Sequence, residues 1–321
     1  MISIPLLFSK VLMLLLLLLP GVLLAKFGLA TEKLGKGLAN IILYAAQPAL
    51  IIMAYNCDFS MEILVRALMV LLFSVIVHIL YTVAAFVCYR KAPDAVKKVL
   101  QFATIFTNAG FMGIPLIEAL YSDMDRNVGI YASIYIIVFN IFCWSVGAYI
   151  YSDDKKYISP RKMFLNPAVV ATLFGFVLFF TPLNEWLSGD TLFAGVVYDI
   201  MRSLKELVAP LSMMLIGLRL AEIKWKGVLL DRYMYLCYAI RMILFPVLTW
   251  GLVKTFALLG IYNDMTAMTV MLLSASAPIA TATSMFAEKF DGDAVYAGKI
   301  VSISTLLSVL TMPLVALLLY I

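Results

Sequence analysis

Asn108-Ala109-Gly110-Phe111-Met112-Gly113-Ile114-Pro115-Leu116 lies midway along an apolar run from Val96 to Tyr121, long enough to cross a bilayer. Two glycines and a proline at its centre work against a continuous helix. Pro115 has no N–H and its ring collides with the carbonyl four residues back, while the glycines lower the cost of opening the turn. In hydrocarbon, freed backbone groups survive only where protein or a water-filled cavity satisfies them. The run therefore reads as a proline kink or as a binding site.

A second copy favours the site. Ser274-Ala275-Ser276-Ala277-Pro278-Ile279-Ala280-Thr281-Ala282-Thr283 is again central in an apolar run, from Met265 to Phe286. Pro115 and Pro278 are 163 residues apart, and Pro5/Pro167, Pro20/Pro182 and Pro48/Pro210 are each 162 apart. With 12 prolines in 321 residues, a match at a fixed offset has a chance of roughly 1 in 27, so four matches indicate an internal repeat. Paired interruptions at corresponding positions of two halves point to a secondary-transporter site.

The chain is 64% hydrophobic and only 13% charged, where soluble domains have roughly 25% charged residues. This composition implies an integral membrane protein working in the lipid bilayer. The +5 net charge is read as loop lysines and arginines that set orientation, and no nucleic-acid partner is expected. Cys57, Cys88, Cys143 and Cys237 are dispersed, and His78 is the only histidine, so neither a disulfide framework nor a metal site is expected. No cofactor is implied. GxSxG, HExxH and phosphate-loop motifs are absent, so the chain does not read as an enzyme.

The reading is all-α, with ten transmembrane helices over 5–25, 36–56, 62–88, 97–121, 128–151, 165–183, 194–218, 233–255, 265–287 and 295–320. The N-terminal run is taken as the first span rather than a cleaved leader. Loops after odd-numbered spans carry Lys26, Lys33, Lys36, Arg90, Lys91, Lys97, Lys98, Lys155, Lys156, Arg161, Lys162, Arg219, Lys224, Lys226, Arg232 and Lys289. Those after even-numbered spans carry only Arg126 and Lys254, amid Asp58, Glu62, Asp123, Asp125, Glu185, Asp190 and Asp264. By the positive-inside rule the first group is cytoplasmic and both termini are extracytoplasmic. Five spans per repeat make the halves inverted: 1–151 and 164–321, joined by a cytoplasmic linker over 152–163.

If spans four and nine are broken at mid-membrane and cross there, two half-helix N-termini meet, suited to a carboxylate or another anion. Asn108, one helical turn and a little more before the expected break, can donate to a carboxylate, or can bond a neighbouring helix. Gly110 and Gly113 let the backbone open, Ser276 and Thr281 supply hydroxyls at the second break, and Gln47 beside Pro48 is within reach of the cavity or part of the scaffold. Glu118, His78 and Arg241 are intramembrane ionisable groups and so candidates for coupling or gating. Each also has a plainer reading: snorkelling for Glu118 and Arg241, hydrogen-bonded packing for His78.

The Asn108–Leu116 stretch resembles the N-(T/A)-G-F-(L/M)-G-I-P-L signature of the auxin efflux carrier, or PIN-like, family. Asn166-Pro167, Ala209-Pro210-Leu211 with Ile216-Gly217, Ala277-Pro278, Tyr296-Ala297, Ser304-Thr305 and Met312-Pro313 are similar to its later motifs. The resemblance implies two inverted five-helix repeats, a scaffold with a crossing-helix transport domain moving as an elevator, and homodimers in the plasma membrane. It implies auxin, malate, malonate or other organic acids as substrates. The family's carboxylate-binding asparagine falls on Asn108 and its crossing prolines on Pro115 and Pro278. The short linker departs from long plant carriers and points to a short, prokaryotic-type member. The alternatives are a cation or proton antiporter of similar architecture, and a transporter-derived membrane sensor or lipid-binding receptor.

Overall fold

The computed structural model describes residues 4–29, 32–121, 127–152, 154, 156, 158–187, 191–221 and 231–320. Of the charges used for orientation, Lys155, Lys224, Lys226, Arg126, Asp123, Asp125 and Asp190 lie outside them. In chain order the helices are α1 (Phe8–Lys26), α2 (Lys33–Ala54), α3 (Met61–Cys88), α4 (Asp94–Ile105) and α5, a π-turn Ala109–Gly113 running into Ile114–Tyr121. Then come α6 (Val128–Ser152), the linker helix α7 (Pro160–Phe164), α8 (Pro167–Phe180), α9 (Leu183–Leu187), α10 (Leu192–Glu206) and α11 (Val208–Ala221). The chain closes with α12 (Arg232–Leu258), α13 (Met265–Ser276), α14 (Ala282–Lys289) and α15 (Ala294–Ala316).

Helix starts follow from local chemistry. Ser60, Asn166, Thr191, Asp231, Asp264 and Asp293 each accept a hydrogen bond from a backbone N–H of the helix that follows, and Pro160 and Pro167 occupy first-turn positions where a missing N–H costs nothing. Interior prolines act through a recurring device. Pro48, Pro115 and Pro246 each follow a five-residue π-turn by two positions: Ile42–Ala46, Ala109–Gly113 and Ile240–Leu244. Widening the turn removes the clash between the proline ring and the carbonyl of the preceding turn, so the helix continues past the proline. Pro210 and Pro313 lack this device. The helix over 194–218 parts at Leu207 between α10 and α11, and α15 bends by 52° near Val309, four residues before Pro313.

Among the described residues, five helices are long and apolar enough to cross a bilayer, six if bent α15 is one span. α8 has 14 residues, about 21 Å of helix, and the 97–121 and 265–287 segments are each split in two. Leu68, Leu72, Ile79, Val83 and Phe86 on α3, and Val170, Phe174 and Val177 on α8, stand exposed at spacings of three, four or seven residues, along one helix face. Such apolar stripes are stable only against lipid. The protein is a multi-pass integral membrane protein.

Packing separates two groups. In the first, α1, α2, α8, α10 and α11 hold one another, and α1 meets α11 backbone to backbone at Gly21 and Gly217. In the second, α3, α6, α12 and α15 surround the two split segments, α4–α5 and α13–α14. Ile42, Phe111 and Leu215 form a small separate apolar cluster along the seam.

Candidate functional site

The two split segments meet in the middle of the second group. Ala277, ahead of Pro278, is pushed out of the helical region to φ −58°, ψ 148° by the proline ring, which ends α13. Phe106 is extended at φ −103°, ψ 127°, ending α4. Between these ends Thr107 lies antiparallel to Ile279. The Asn108 N–H donates to the Pro278 carbonyl at 2.7 Å, and the Ala280 N–H donates to the Phe106 carbonyl at 3.0 Å. The Ile279 N–H donates to Ser304 Oγ on α15 at 3.1 Å. Each break thus satisfies the backbone groups the other leaves free, which is the condition for irregular chain inside a membrane.

The first break lies at Phe106–Asn108 and not at Pro115, the position expected from the sequence. Pro115 sits in the first turn after a π-wound segment and interrupts nothing. Asn108 is therefore at the break itself, its carbonyl accepting the Met112 and Gly113 N–H groups at 3.0 and 3.2 Å. Its side chain is 4% exposed, and Nδ2 has no hydrogen-bond partner among the described residues. Gln47 flanks the same turn: a Cβ on Gly110 would lie 3.0 Å from Gln47 Nε2. Gly113 packs against Ala277 and Ser274 of the other segment.

The remaining candidates divide. Thr281, half-buried at the start of α14, faces a cavity of about 770 Å³. Ser276 is fully buried and donates to the Leu273 carbonyl at 3.0 Å, so its hydroxyl is spent within its own helix. Arg241 is 0% exposed and is brought to the crossing. Its Nη2 donates to the Ala277 carbonyl at 3.5 Å and its guanidinium lies 5.6 Å from the Tyr81 ring centre, while Nε and Nη1 have no partner among the described residues. A fixed positive charge there complements the negative end of α13. His78 bonds the Ser74 carbonyl through Nδ1 at 2.7 Å and packs against Tyr135 and Phe142. Glu118 is not at the crossing: its carboxylate pairs with Lys205 Nζ of α10 at 2.9 Å, a tie between the two packed groups.

The cavity opens beside the crossing. Phe111 of α5 and Thr281 line it from the two split segments, and Lys36, Arg219, Lys289 and Lys299 from α2, α11, α14 and α15, with Glu288 the one acid among its lining residues. A family model described as a membrane transport protein matches residues 6–316 of the 321. The chain belongs to the auxin efflux carrier, or PIN-like, family. No curated protein matches its sequence. Members of the PIN-like family are transporters and not enzymes, so this chain is a membrane transport protein.

Several residues of this PIN-like site escaped the reading of the sequence. Thr107 and Ile279 carry no local signal, because an extended pair inside two apolar runs is created by the contact itself. Ser304 was visible only as part of a family motif, and its bond to Ile279 gives that motif a physical role. Lys36, Arg219 and Lys289 were legible as orientation charges but not as one lining, and Lys299 was not singled out at all. The geometry also separates the two prolines. Pro278→Ala frees residue 277 for helix and lets α13 extend against the crossing, whereas Pro115→Ala only restores a normal turn. Ligand binding at the crossing is expected to weaken in Pro278→Ala and to change less in Pro115→Ala. Titration of both variants with one ligand of the wild type checks this, and equal losses would place both prolines at the break.

Proposed function

We propose that the protein is a secondary transporter of small organic anions, carboxylates above all, working by elevator-type alternating access. One observation carries this reading. Two half-helices begin at a shared crossing, with Asn108 and Thr281 at their first turns, next to a cavity lined by four basic side chains and one acid. Helix N-termini offer unpaired N–H groups and a partial charge of about +0.5 each, which holds a carboxylate without a dedicated counter-ion. The basic walls raise the local concentration of anions at the mouth.

In this reading the group of α1, α2, α8, α10 and α11 is the scaffold, and the group around the crossing moves against it. The ten-span inverted repeat, 1–151 and 164–321 about the linker, is supported by the proline offsets and by the antiparallel meeting of the split segments. The basic mouth faces the cytoplasm, the termini face outside, and homodimers in the plasma membrane follow the family. Cysteines placed singly in 89–98 and 152–162 are expected to label only from the cytoplasm and those in 257–264 only from outside; the reverse would invert the orientation. The cation antiporter has little support here, since neither break carries an acid and the intramembrane Glu118 is neutralised by Lys205.

The test is a thermal-shift screen of purified protein against mono- and dicarboxylates and their uncharged amides. A bound ligand at 100 times its Kd adds about 2.7 kcal/mol. Carboxylates should stabilise and amides should not. Silence to every carboxylate, with a response to sterols, would favour a lipid-binding receptor.

A further inference from the structure

Trp144, in the π-turn Cys143–Gly147 of α6, carries two lysines on one indole. Lys162 Nζ of the linker helix α7 lies 5.1 Å from the ring centre, and Lys289 Nζ at the end of α14 lies 4.8 Å away. Neither ammonium has an ion pair among the described residues, although Glu288 and Asp291 flank Lys289 in the sequence; Asp154 pairs with Lys156 at 2.8 Å, and Asp293 accepts the Tyr296 N–H at 2.8 Å. Partial burial, with the Lys162 ammonium beside it, holds the Lys289 ammonium below the usual lysine range. Two like charges on one ring repel unless an anion lies between them, and an aromatic face alone contributes only about 0.5–1 kcal/mol per cation at exposed sites.

The neighbouring surface says which anion. Phe164 and Leu165, which follow Lys162 after the buried Met163, are 53% and 62% exposed, with the exposed Arg161 on the same short helix. A ligand that satisfies paired ammonium groups and a bare apolar ledge at once is an amphiphile with an anionic head. We propose that Lys162, Lys289 and Trp144 bind the phosphate of an anionic phospholipid, with Phe164 and Leu165 against its acyl chains. Basic pockets between helices beside the membrane surface take such headgroups. The site joins the linker leading into α8 to α14 beside the crossing, so an occupied site ties the two packed groups together.

The experiment compares the full chain in phosphatidylcholine nanodiscs with and without phosphatidylglycerol. The wild type is expected to gain roughly 2–6 °C in melting temperature from phosphatidylglycerol. Lys162→Gln/Lys289→Gln should lose most of that gain, while Lys26→Gln/Lys91→Gln, which removes the same charge from other exposed positions, should keep it. Inorganic phosphate added to phosphatidylcholine discs should reproduce none of it. Native mass spectrometry should find fewer retained phosphatidylglycerol molecules on the first double variant than on the second. An undiminished gain in Lys162→Gln/Lys289→Gln, or equal losses in both double variants, overturns the site. A full gain from phosphate alone assigns it to a soluble anion and overturns the lipid.

Discussion

Gly217→Ala is expected to destabilise the protein by about 3 kcal/mol or more, the upper end for overpacking a tight interior. A Cβ at Gly217 would stand 2.1 Å from the Leu18 carbonyl oxygen, and one at Gly21 would stand 2.0 Å from that of Met214. Both obstacles are backbone, so no rotamer change relieves them, and α1 and α11 would have to separate. Small residues are what allow helices to associate in lipid, where apolar side chains gain nothing by leaving the membrane. Gly21→Ala should behave alike, and the double variant should fall short of the sum, because either methyl alone already forces the helices apart. Gly37→Ala and Gly195→Ala, where a Cβ meets nothing within 4 Å, should be neutral or slightly stabilising. Melting temperatures in detergent separate the four substitutions. A Gly217→Ala protein that melts with the wild type would mean the two helices are not in backbone contact.

Asn108→Ala is expected to weaken carboxylate binding by about 1–3 kcal/mol, roughly 5- to 150-fold in Kd, the loss of a buried hydrogen bond to a charged group. The unpartnered Nδ2 of Asn108 at the start of α5 is the reason. Because that group bonds nothing among the described residues, its removal should leave the melting temperature of the free protein within a few degrees. Ser276→Ala is the contrast: its hydroxyl serves the Leu273 carbonyl, so binding should be unchanged although the residue is only two positions from Pro278. A marked loss of stability in Asn108→Ala with intact binding would make the asparagine packing glue.

Membrane embedding, the helix starts at Ser60, Asn166 and Asp264, and the interruption at Ala277-Pro278 were all determined by the sequence. Each rests on forces acting within a few residues: transfer of apolar side chains, a side chain capping its own helix, a ring against the residue before it. The prolines at 48 and 115 were visible too, but not their outcome, since a π-turn absorbs the clash that was expected to break the helix. The tertiary structure alone decided that the first break falls at Phe106–Asn108. Thr107 and Asn108 are weak helix formers, but nothing local dictates a break there; Phe106 is extended and Thr107 bridges Ile279 because the Pro278 carbonyl and the Ala280 N–H offer the hydrogen bonds. It also decided that Arg241 caps the far end of α13, that Glu118 is tied to Lys205 away from the crossing, and that basic residues from four helices line one cavity. Such pairings cost chain entropy to form and satisfy charges and carbonyls that local structure leaves open, so they exist only once distant segments have been brought together.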